Sequence, residues 1–178
     1  MEQREQVDIS DLKKARLLFK SLINSNPKRA RGWIAAARVE ELDGKIQEAR
    51  NILAQGVEHA PYSEDLWLEA ARMEPVDRAK GILSKGVKFI PKSVKLWLAC
   101  AKKEDSTDTK KKILKKGLKT IPKSEKIWRE LIELSTDEEE AKEYLSNAVK
   151  CVPVNFFLKI KKKGYIGFLV GLRQIGTL

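Results

Sequence analysis

The sequence has very few of the residues on which catalysis, metal binding and covalent cross-links depend. Among its 178 residues there is one histidine, His59, and there are two cysteines, Cys100 and Cys151. A single histidine leaves acyl-transfer and zinc chemistry without their usual residues, and two isolated cysteines form neither a disulfide framework nor a metal motif. The sequence also has no glycine-rich phosphate loop. These absences predict a non-enzymatic protein with no cofactor, no metal and no small-molecule substrate, kept in a reduced intracellular compartment.

Long apolar runs are also missing. None reaches the roughly 20 residues that a membrane helix needs, and residues 1–9 are too polar for a secretory signal. We therefore expect no membrane partner. The 42% of hydrophobic residues is nevertheless too high for a disordered chain and indicates a folded one.

The positive charge of the chain is concentrated in its middle. The formal net charge is +11, but residues 1–77 have 12 basic and 14 acidic side chains, whereas residues 78–126 have 16 basic and four acidic ones. Residues 127–153 are acidic overall, and residues 154–178 have five basic residues and no acidic one. A local field of this kind attracts acidic partners, whether protein or nucleic acid.

Tryptophan and proline recur with one common period. The tryptophans are Trp33, Trp67, Trp97 and Trp128, and the prolines that precede each next repeat are Pro27, Pro61, Pro91, Pro122 and Pro153. The spacings are 30, 31 or 34 residues, and each tryptophan follows its proline by six. A column of mostly alanine lies twelve residues before each proline, at Ala15, Ala49, Ala79, Lys110 and Ala141. Three columns in step indicate a structural repeat.

Each repeat has the pattern of two helices. Tryptophan and the small residues three and four positions later share one helical face, including Ala37, Ala71 and Ala101,. A second apolar stripe follows and ends at the proline, while Ser63, Ser93 and Ser124 suit the N-caps of the tryptophan helices,. One such pair cannot bury its apolar face alone, but stacked pairs can. The tryptophan and alanine columns therefore predict core packing.

The predicted fold is an all-α, right-handed solenoid of antiparallel helix pairs over residues 11–153. We expect a polar extension at residues 1–10, a lone second helix at 11–27 and full repeats at 28–61, 62–91, 92–122 and 123–153. The pattern stops at Pro153, since Lys159 stands where a tryptophan is due. Residues 154–178 form an aberrant basic and apolar tail, which is either a hydrophobic end cap or the product of a truncated or mis-spliced message.

These motifs resemble the half-a-tetratricopeptide (HAT) repeat. Tryptophan is followed seven residues later by glutamate, as in Trp33–Glu40 and Trp67–Glu74, and then by alanine with a basic residue and by proline. The segments Leu12–Lys20, Gly44–Arg50 and Ser63–Arg72 further resemble the HAT-repeat splicing factors. This resemblance implies a nuclear scaffold that bridges components of the spliceosomal tri-snRNP through contacts with snRNP proteins. A HAT scaffold of another RNA-processing complex is the alternative within this family.

A column of glutamates on the tryptophan face requires partners, because burial of an unpaired carboxylate is costly. The column consists of Glu40, Glu74 and Glu104, and a basic residue follows the alanine column at Arg16, Arg50, Lys80, Lys111 and Lys142. We expect the two columns to pair, with Glu74 and Lys80 as the pair to test. The alternative is that both are solvated rim charges.

Two surfaces are candidates for binding. By analogy with tetratricopeptide solenoids, a partner groove would contain the residues one and five positions after each tryptophan: Ile34, Arg38, Leu68, Arg72, Leu98 and Lys102. It would suit an acidic amphipathic segment. A basic stripe on the second helices contains Lys85, Lys88, Lys116 and Lys119. Direct RNA contact through this basic middle block is the alternative function, and a solvated face is the alternative to both surfaces.

Overall fold

A computed structural model describes residues 9–153, and within this range the chain forms nine α-helices and no strand. The helices are α1 Ile9–Ser25, α2 Ala30–Leu42, α3 Ile46–His59, α4 Glu64–Arg72, α5 Val76–Phe89, α6 Val94–Lys102, α7 Thr107–Thr120, α8 Glu125–Glu133 and α9 Glu138–Val149. Helix α1 begins two residues before the predicted start. Most of the predicted extension and the whole predicted tail lie outside the described residues.

Tryptophan helices alternate with second helices, as the repeat predicts. Helices α2, α4, α6 and α8 contain the four tryptophans, and each packs on the second helix that follows it. The chain divides into two compact bodies. We call residues 9–90 the N-terminal body and residues 91–153 the C-terminal body.

Three of the tryptophan helices begin at a serine cap. The hydroxyl oxygens of Ser63, Ser93 and Ser124 accept hydrogen bonds from the backbone N–H groups three residues later. Such a cap satisfies one of the donors that a helix N-terminus leaves without a partner. Helix α2 is the exception, because Arg29 stands at its cap and makes no side-chain cap bond.

Three second helices end in one common way. The backbone N–H groups of Ala60, Ile90 and Ile121 each donate to the carbonyl of the glycine four residues earlier, at 2.8 Å. A proline follows each of them, and proline both lacks an N–H and disfavours helical backbone in the residue before it. The proline column therefore sets where each second helix stops.

One extra turn explains why the first period is 34 residues. Helix α2 has 13 residues, whereas α4, α6 and α8 have nine each. Helix α2 ends at Leu42, and the turn after it contains Gly44, whose φ of +78° lies in the left-handed region that favours glycine,. The Leu42–Lys45 insertion thus lengthens one helix and changes its turn without disturbing the helix pairing.

Leucine and isoleucine fill the core of each body. In the N-terminal body Leu53, Leu66 and Leu83 are fully buried, and in the C-terminal body Leu114, Ile127 and Leu131 are. Burial of each such side chain contributes about 1.5–3 kcal/mol. The predicted fold class, an all-α repeat solenoid, is confirmed, while the handedness of the stacking remains a prediction. In the described range no helix is long and apolar enough to cross a membrane.

Candidate interaction surfaces

Each tryptophan is tied to the turn before its own helix. The indole N–H groups of Trp33, Trp67, Trp97 and Trp128 donate to the carbonyls of Pro27, Pro61, Pro91 and Pro122, at 2.7–2.9 Å. The alanines of the column, Ala37, Ala71 and Ala101, are buried. The proline rings are partly or fully exposed, so proline contributes its carbonyl and its turn more than apolar area. The constant six-residue spacing between proline and tryptophan therefore reflects a hydrogen bond that recurs in every repeat.

Glycine on the second helix makes room for the tryptophan. A Cβ at Gly56 would lie 2.9 Å from the Cβ of Trp33, and one at Gly86 would lie 2.9 Å from the Cγ of Trp67. At Gly117 the corresponding distance to the ring of Trp97 is 3.1 Å. Contacts this short require a shift of the neighbouring side chain, so the glycine column is a steric requirement of the indole ring.

Two members of the glutamate column, Glu40 and Glu74, pair with basic residues of the preceding second helix. The guanidinium of Arg16 donates to both carboxylate oxygens of Glu40, at 2.7 and 2.8 Å, and to Asp43 at 2.5 Å. Arg50 lies 3.7 Å from the Glu74 carboxylate and donates to the Met73 carbonyl at 2.9 Å. Glu40 and Glu74 thus pair with members of the predicted basic column, and in both pairs the basic residue lies 24 residues before the glutamate; the expected pair of Glu74 and Lys80 stays a prediction.

The C-terminal body forms a similar bond with a different acid. Ser135 stands where the glutamate column would continue, and the buried Lys111 instead donates to Glu140 at 2.6 Å. The hydroxyl of Tyr144 and the N–H of Thr136 donate to the same carboxylate. These bonds, that of Lys111 foremost, lower the pKa of Glu140 to about 2. Burial and the bond to Glu140 raise the pKa of Tyr144.

The predicted partner groove contains a closed ion-pair network in the N-terminal body. Ile34 and Leu68 are half-buried, while Arg38 and Arg72 are exposed. Arg38 Nε donates to Glu69 at 3.0 Å, and Arg72 donates to Glu69 at 3.1 Å and to Glu41 at 2.5 and 2.9 Å. The two arginines therefore join α2 to α4, and their charge is balanced by two carboxylates.

The network keeps its carboxylates ionised. Burial raises the pKa of Glu69, but hydrogen bonds from Arg72 and Arg38 outweigh it, so the pKa lies below its ordinary value. The bond from Arg72 likewise lowers the pKa of Glu41. Neither acid recurs at the equivalent position of every other repeat, so the repeat pattern does not indicate them.

The remaining predicted surface residues are exposed or half-buried. Leu98 is half-buried and Lys102 exposed on α6. Of the basic stripe, Lys85 and Lys88 are exposed on α5 in the N-terminal body, and Lys116 and Lys119 are exposed on α7 in the C-terminal body. Each pair is thus open to solvent within its own body.

Two cavities in the N-terminal body are built from the same repeat positions. The first, of about 820 Å³, has Trp33, Ile23 and Ile52 among its lining residues, and the second, of about 410 Å³, has Trp67, Val57 and Ile82. His59 stacks on Trp33 at the first and Phe89 on Trp67 at the second, with ring centroids 5.3 and 5.7 Å apart. The repeat therefore produces two equivalent, partly apolar cavities, one beside Trp33 and one beside Trp67.

Two kinds of side chain bear on catalysis in the described range, namely possible metal ligands and the thiol of Cys100. No group of three or more His, Cys, Asp or Glu side chains between residues 9 and 153 is arranged to hold a metal ion. Burial and the nearby charge of Glu104 raise the pKa of the Cys100 thiol to about 11. The thiol is therefore protonated at neutral pH and is a poor nucleophile.

Sequence comparison finds relatives among splicing factors. A tetratricopeptide-repeat family model matches residues 30–73. Pre-mRNA-processing factor 6 of Homo sapiens is 57% identical over 72 residues, and Protein STABILIZED1 of Arabidopsis thaliana is 55% identical over 73. Pre-mRNA-splicing factor prp1 of Schizosaccharomyces pombe is 47% identical over 72. These matches cover about 40% of this chain but only 7–8% of the relatives.

Solved structures support the fold alone. The crystal structure of MamA has a TM-score of 0.52 at 13% identity, with 79% of this chain and 88% of that one covered. A MamA fragment from Desulfovibrio magneticus RS-1 has a TM-score of 0.51 at 10% identity, with 85% and 88% covered. Taken with the repeat geometry, these comparisons show that the chain carries a tetratricopeptide-type helical repeat and resembles pre-mRNA-processing factor 6.

Proposed function

We propose that this chain is a non-enzymatic protein-interaction scaffold of pre-mRNA splicing and acts in the nucleus. The observation that carries the proposal is its 57% identity over 72 residues to human pre-mRNA-processing factor 6. Stacked helix pairs present extended surfaces suited to partner proteins, which agrees with this role. Because the chain spans about 8% of the length of that relative, we carry over only the role of one segment.

The finer proposal is that the chain bridges components of the spliceosomal tri-snRNP by binding snRNP proteins. In the N-terminal body we assign this contact to the groove of Ile34, Arg38, Leu68 and Arg72. The two half-buried aliphatic side chains offer apolar contact beside the exposed guanidinium groups of Arg38 and Arg72. An acidic amphipathic helix or strand matches this combination.

Arg38 is the better of the two arginines for a partner carboxylate. Arg72 uses Nε and both terminal nitrogens on Glu41 and Glu69, whereas Arg38 uses its Nε on Glu69. A guanidinium has five N–H donors in a planar fork, and the side chain of Arg38 is 63% exposed. We therefore assign partner binding to Arg38 and positioning of Glu69 to Arg72.

Affinity capture from nuclear extract tests the proposal. The tagged full chain is used as bait with and without nuclease, and the captured proteins are identified by mass spectrometry. We expect tri-snRNP proteins to persist after nuclease treatment and to fall at least fivefold with Arg38→Glu. Lys13→Glu on α1 is the matched control, because Lys13 is exposed on a different helix and undergoes the same charge reversal.

Two results would contradict the proposal. Capture that disappears with nuclease would assign the interaction to RNA, and equal loss with Arg38→Glu and Lys13→Glu would remove the groove from it. Circular dichroism of both variants separates loss of binding from loss of folding.

A further inference from the structure

We propose that the outer face of α7 binds the phosphate backbone of nucleic acid, for which a single-stranded RNA serves as the probe, independently of the protein contacts proposed above. This α7 lysine face consists of Lys112, Lys115, Lys116 and Lys119, all exposed. The four positions have the spacing i, i+3, i+4 and i+7, which places them on one side of a helix. With a rise of 1.5 Å per residue, they extend over about 10 Å.

The charge of this face is not compensated within the described residues. Between residues 9 and 153 none of the four ammonium groups forms an ion pair. Three acids of α9 are already engaged. Glu138 and Glu139 pair with Lys142 of the same helix, and Glu140 pairs with Lys111 of α7. Asp108, the one acidic residue of α7, lies in its first turn. Like charges at these spacings repel one another, and a bound polyanion would relieve that repulsion.

The fold does not require these lysines. Helix α3 has Asn51, Ala54, Gln55 and Glu58 at the equivalent repeat positions. The buried positions of the two helices nevertheless match, with Leu53 and Gly56 in α3 corresponding to Leu114 and Gly117 in α7. The ammonium of Lys115 lies 5.0 Å from the Tyr144 ring centroid, the only one of the four with such a contact among the described residues.

The composition of the face favours nucleic acid over protein. Protein interfaces are depleted in lysine and depend on aromatic, arginine or aliphatic anchors, and this face presents only ammonium groups. Binding of a phosphate backbone needs only cations. Since the face offers no arginine fork and no aromatic residue on which a base could stack, we expect binding without sequence preference.

Salt-dependent RNA binding tests the proposal with the full chain. The probe is a fluorescein-labelled 20-nucleotide oligouridylate, followed by fluorescence anisotropy between 50 and 200 mM KCl. Replacement of Lys112, Lys115, Lys116 and Lys119 by glutamine should reduce the slope of log affinity against log salt by about 2.8, since each phosphate contact on a single strand contributes about 0.7. For the unaltered protein, these four contacts should account for about a 50-fold loss of affinity when KCl rises from 50 to 200 mM.

A matched control removes the same charge elsewhere. Lys13, Lys14, Lys20 and Lys28 are also exposed, and their replacement by glutamine should change the slope by less than about 1, that is, by little more than one phosphate contact. A triple variant that retains Lys115 and its contact with Tyr144 provides the test if the quadruple variant fails to fold. Its expected reduction in slope is about 2.1.

Two outcomes would overturn the assignment. Equal reductions in the α7 and control variants would show attraction by net charge rather than by this face. Competition by a 20-residue oligoglutamate as effective as that by unlabelled oligouridylate would identify the face as a site for acidic peptides.

Discussion

Helices α3 and α7 occupy the same repeat position, but their solvent-exposed faces differ in charge. Their inner faces are alike, since Gly56 and Gly117 each lie against a tryptophan ring, at Trp33 and Trp97. The outer four positions are neutral or acidic in α3 and all lysine in α7. The inner positions are restricted by close packing, which tolerates little change in volume, whereas the outer positions face water. The repeat therefore specifies a core and leaves the surface charge open to function.

The ion pairs of the two bodies take their acids from different repeat positions. In the N-terminal body Arg50 lies by Glu74 of the glutamate column, and in the C-terminal body Lys111 binds Glu140 of α9. Both bonds hold a second helix to a neighbour. A buried or half-buried cation requires an acid, but the acid can come from different repeat positions.

The largest expected loss of stability follows the removal of a tryptophan. Trp67→Ala should lower the free energy of unfolding by about 3–5 kcal/mol, because it leaves a cavity and removes the bond to the Pro61 carbonyl,. Trp97→Ala should cost less, since Trp97 is only half-buried. Urea denaturation followed by circular dichroism measures both. Equal losses would show that the two bodies depend equally on this column.

The ion pair of the C-terminal body is the next test. Glu140→Gln should cost about 1.5–3 kcal/mol at pH 7, because it weakens a bond to a charged group. The pKa of Glu140 in the folded protein, about 2, lies below its ordinary value, so its stabilisation is complete above about pH 4.5 and is lost as the pH falls toward 2.

Denaturation of the Glu140 variant at several pH values checks this dependence. The difference between Glu140→Gln and the unaltered protein should shrink between pH 4.5 and pH 2. Glu143→Gln, which removes an exposed charge from the same helix, is the control and should stay within about 0.5 kcal/mol of the unaltered protein. A difference that does not vary with pH would contradict the role of the carboxylate charge.

One substitution at two glycines of α5 separates the inner and outer faces. Gly86→Ala should destabilise the protein by about 1–3 kcal/mol, because the new Cβ would lie 2.9 Å from Trp67,. Gly81→Ala in the same helix meets nothing within 4 Å and should stabilise it by about 0.5–1 kcal/mol through helix propensity. Thermal unfolding of the two variants should therefore shift in opposite directions. A shift to higher temperature in both variants would show that the tryptophan ring moves away freely.

The smallest effect concerns the missing cap of α2. Arg29→Ser should stabilise the protein by about 1 kcal/mol, because it supplies the hydroxyl that Ser63, Ser93 and Ser124 supply to the other tryptophan helices,. Ser63→Ala should destabilise it by about as much. Differential scanning calorimetry measures both changes. No gain from Arg29→Ser would mean that the entry to α2 cannot adopt the capped geometry.

Much of the fold could be predicted from the sequence, because a repeat displays each local requirement several times. The serine caps and the all-α class follow from such columns. The candidate surfaces were harder, because a column locates a charge but not its partner. Glu69 and Glu41 neutralise the groove arginines, and neither acid belongs to a column.

The sequence by itself determined the helix pairs, their ends and the residues of their cores, since these depend on periodicity, caps and proline within about 30 residues of chain. The tertiary structure alone decided which acid meets which base: Arg50 by Glu74, Lys111 by Glu140 and Arg38 by Glu69. The reason is geometric. Ion pairs form between side chains whose charged atoms come within about 4 Å, and packing of separate helices, not their order in the chain, sets those distances.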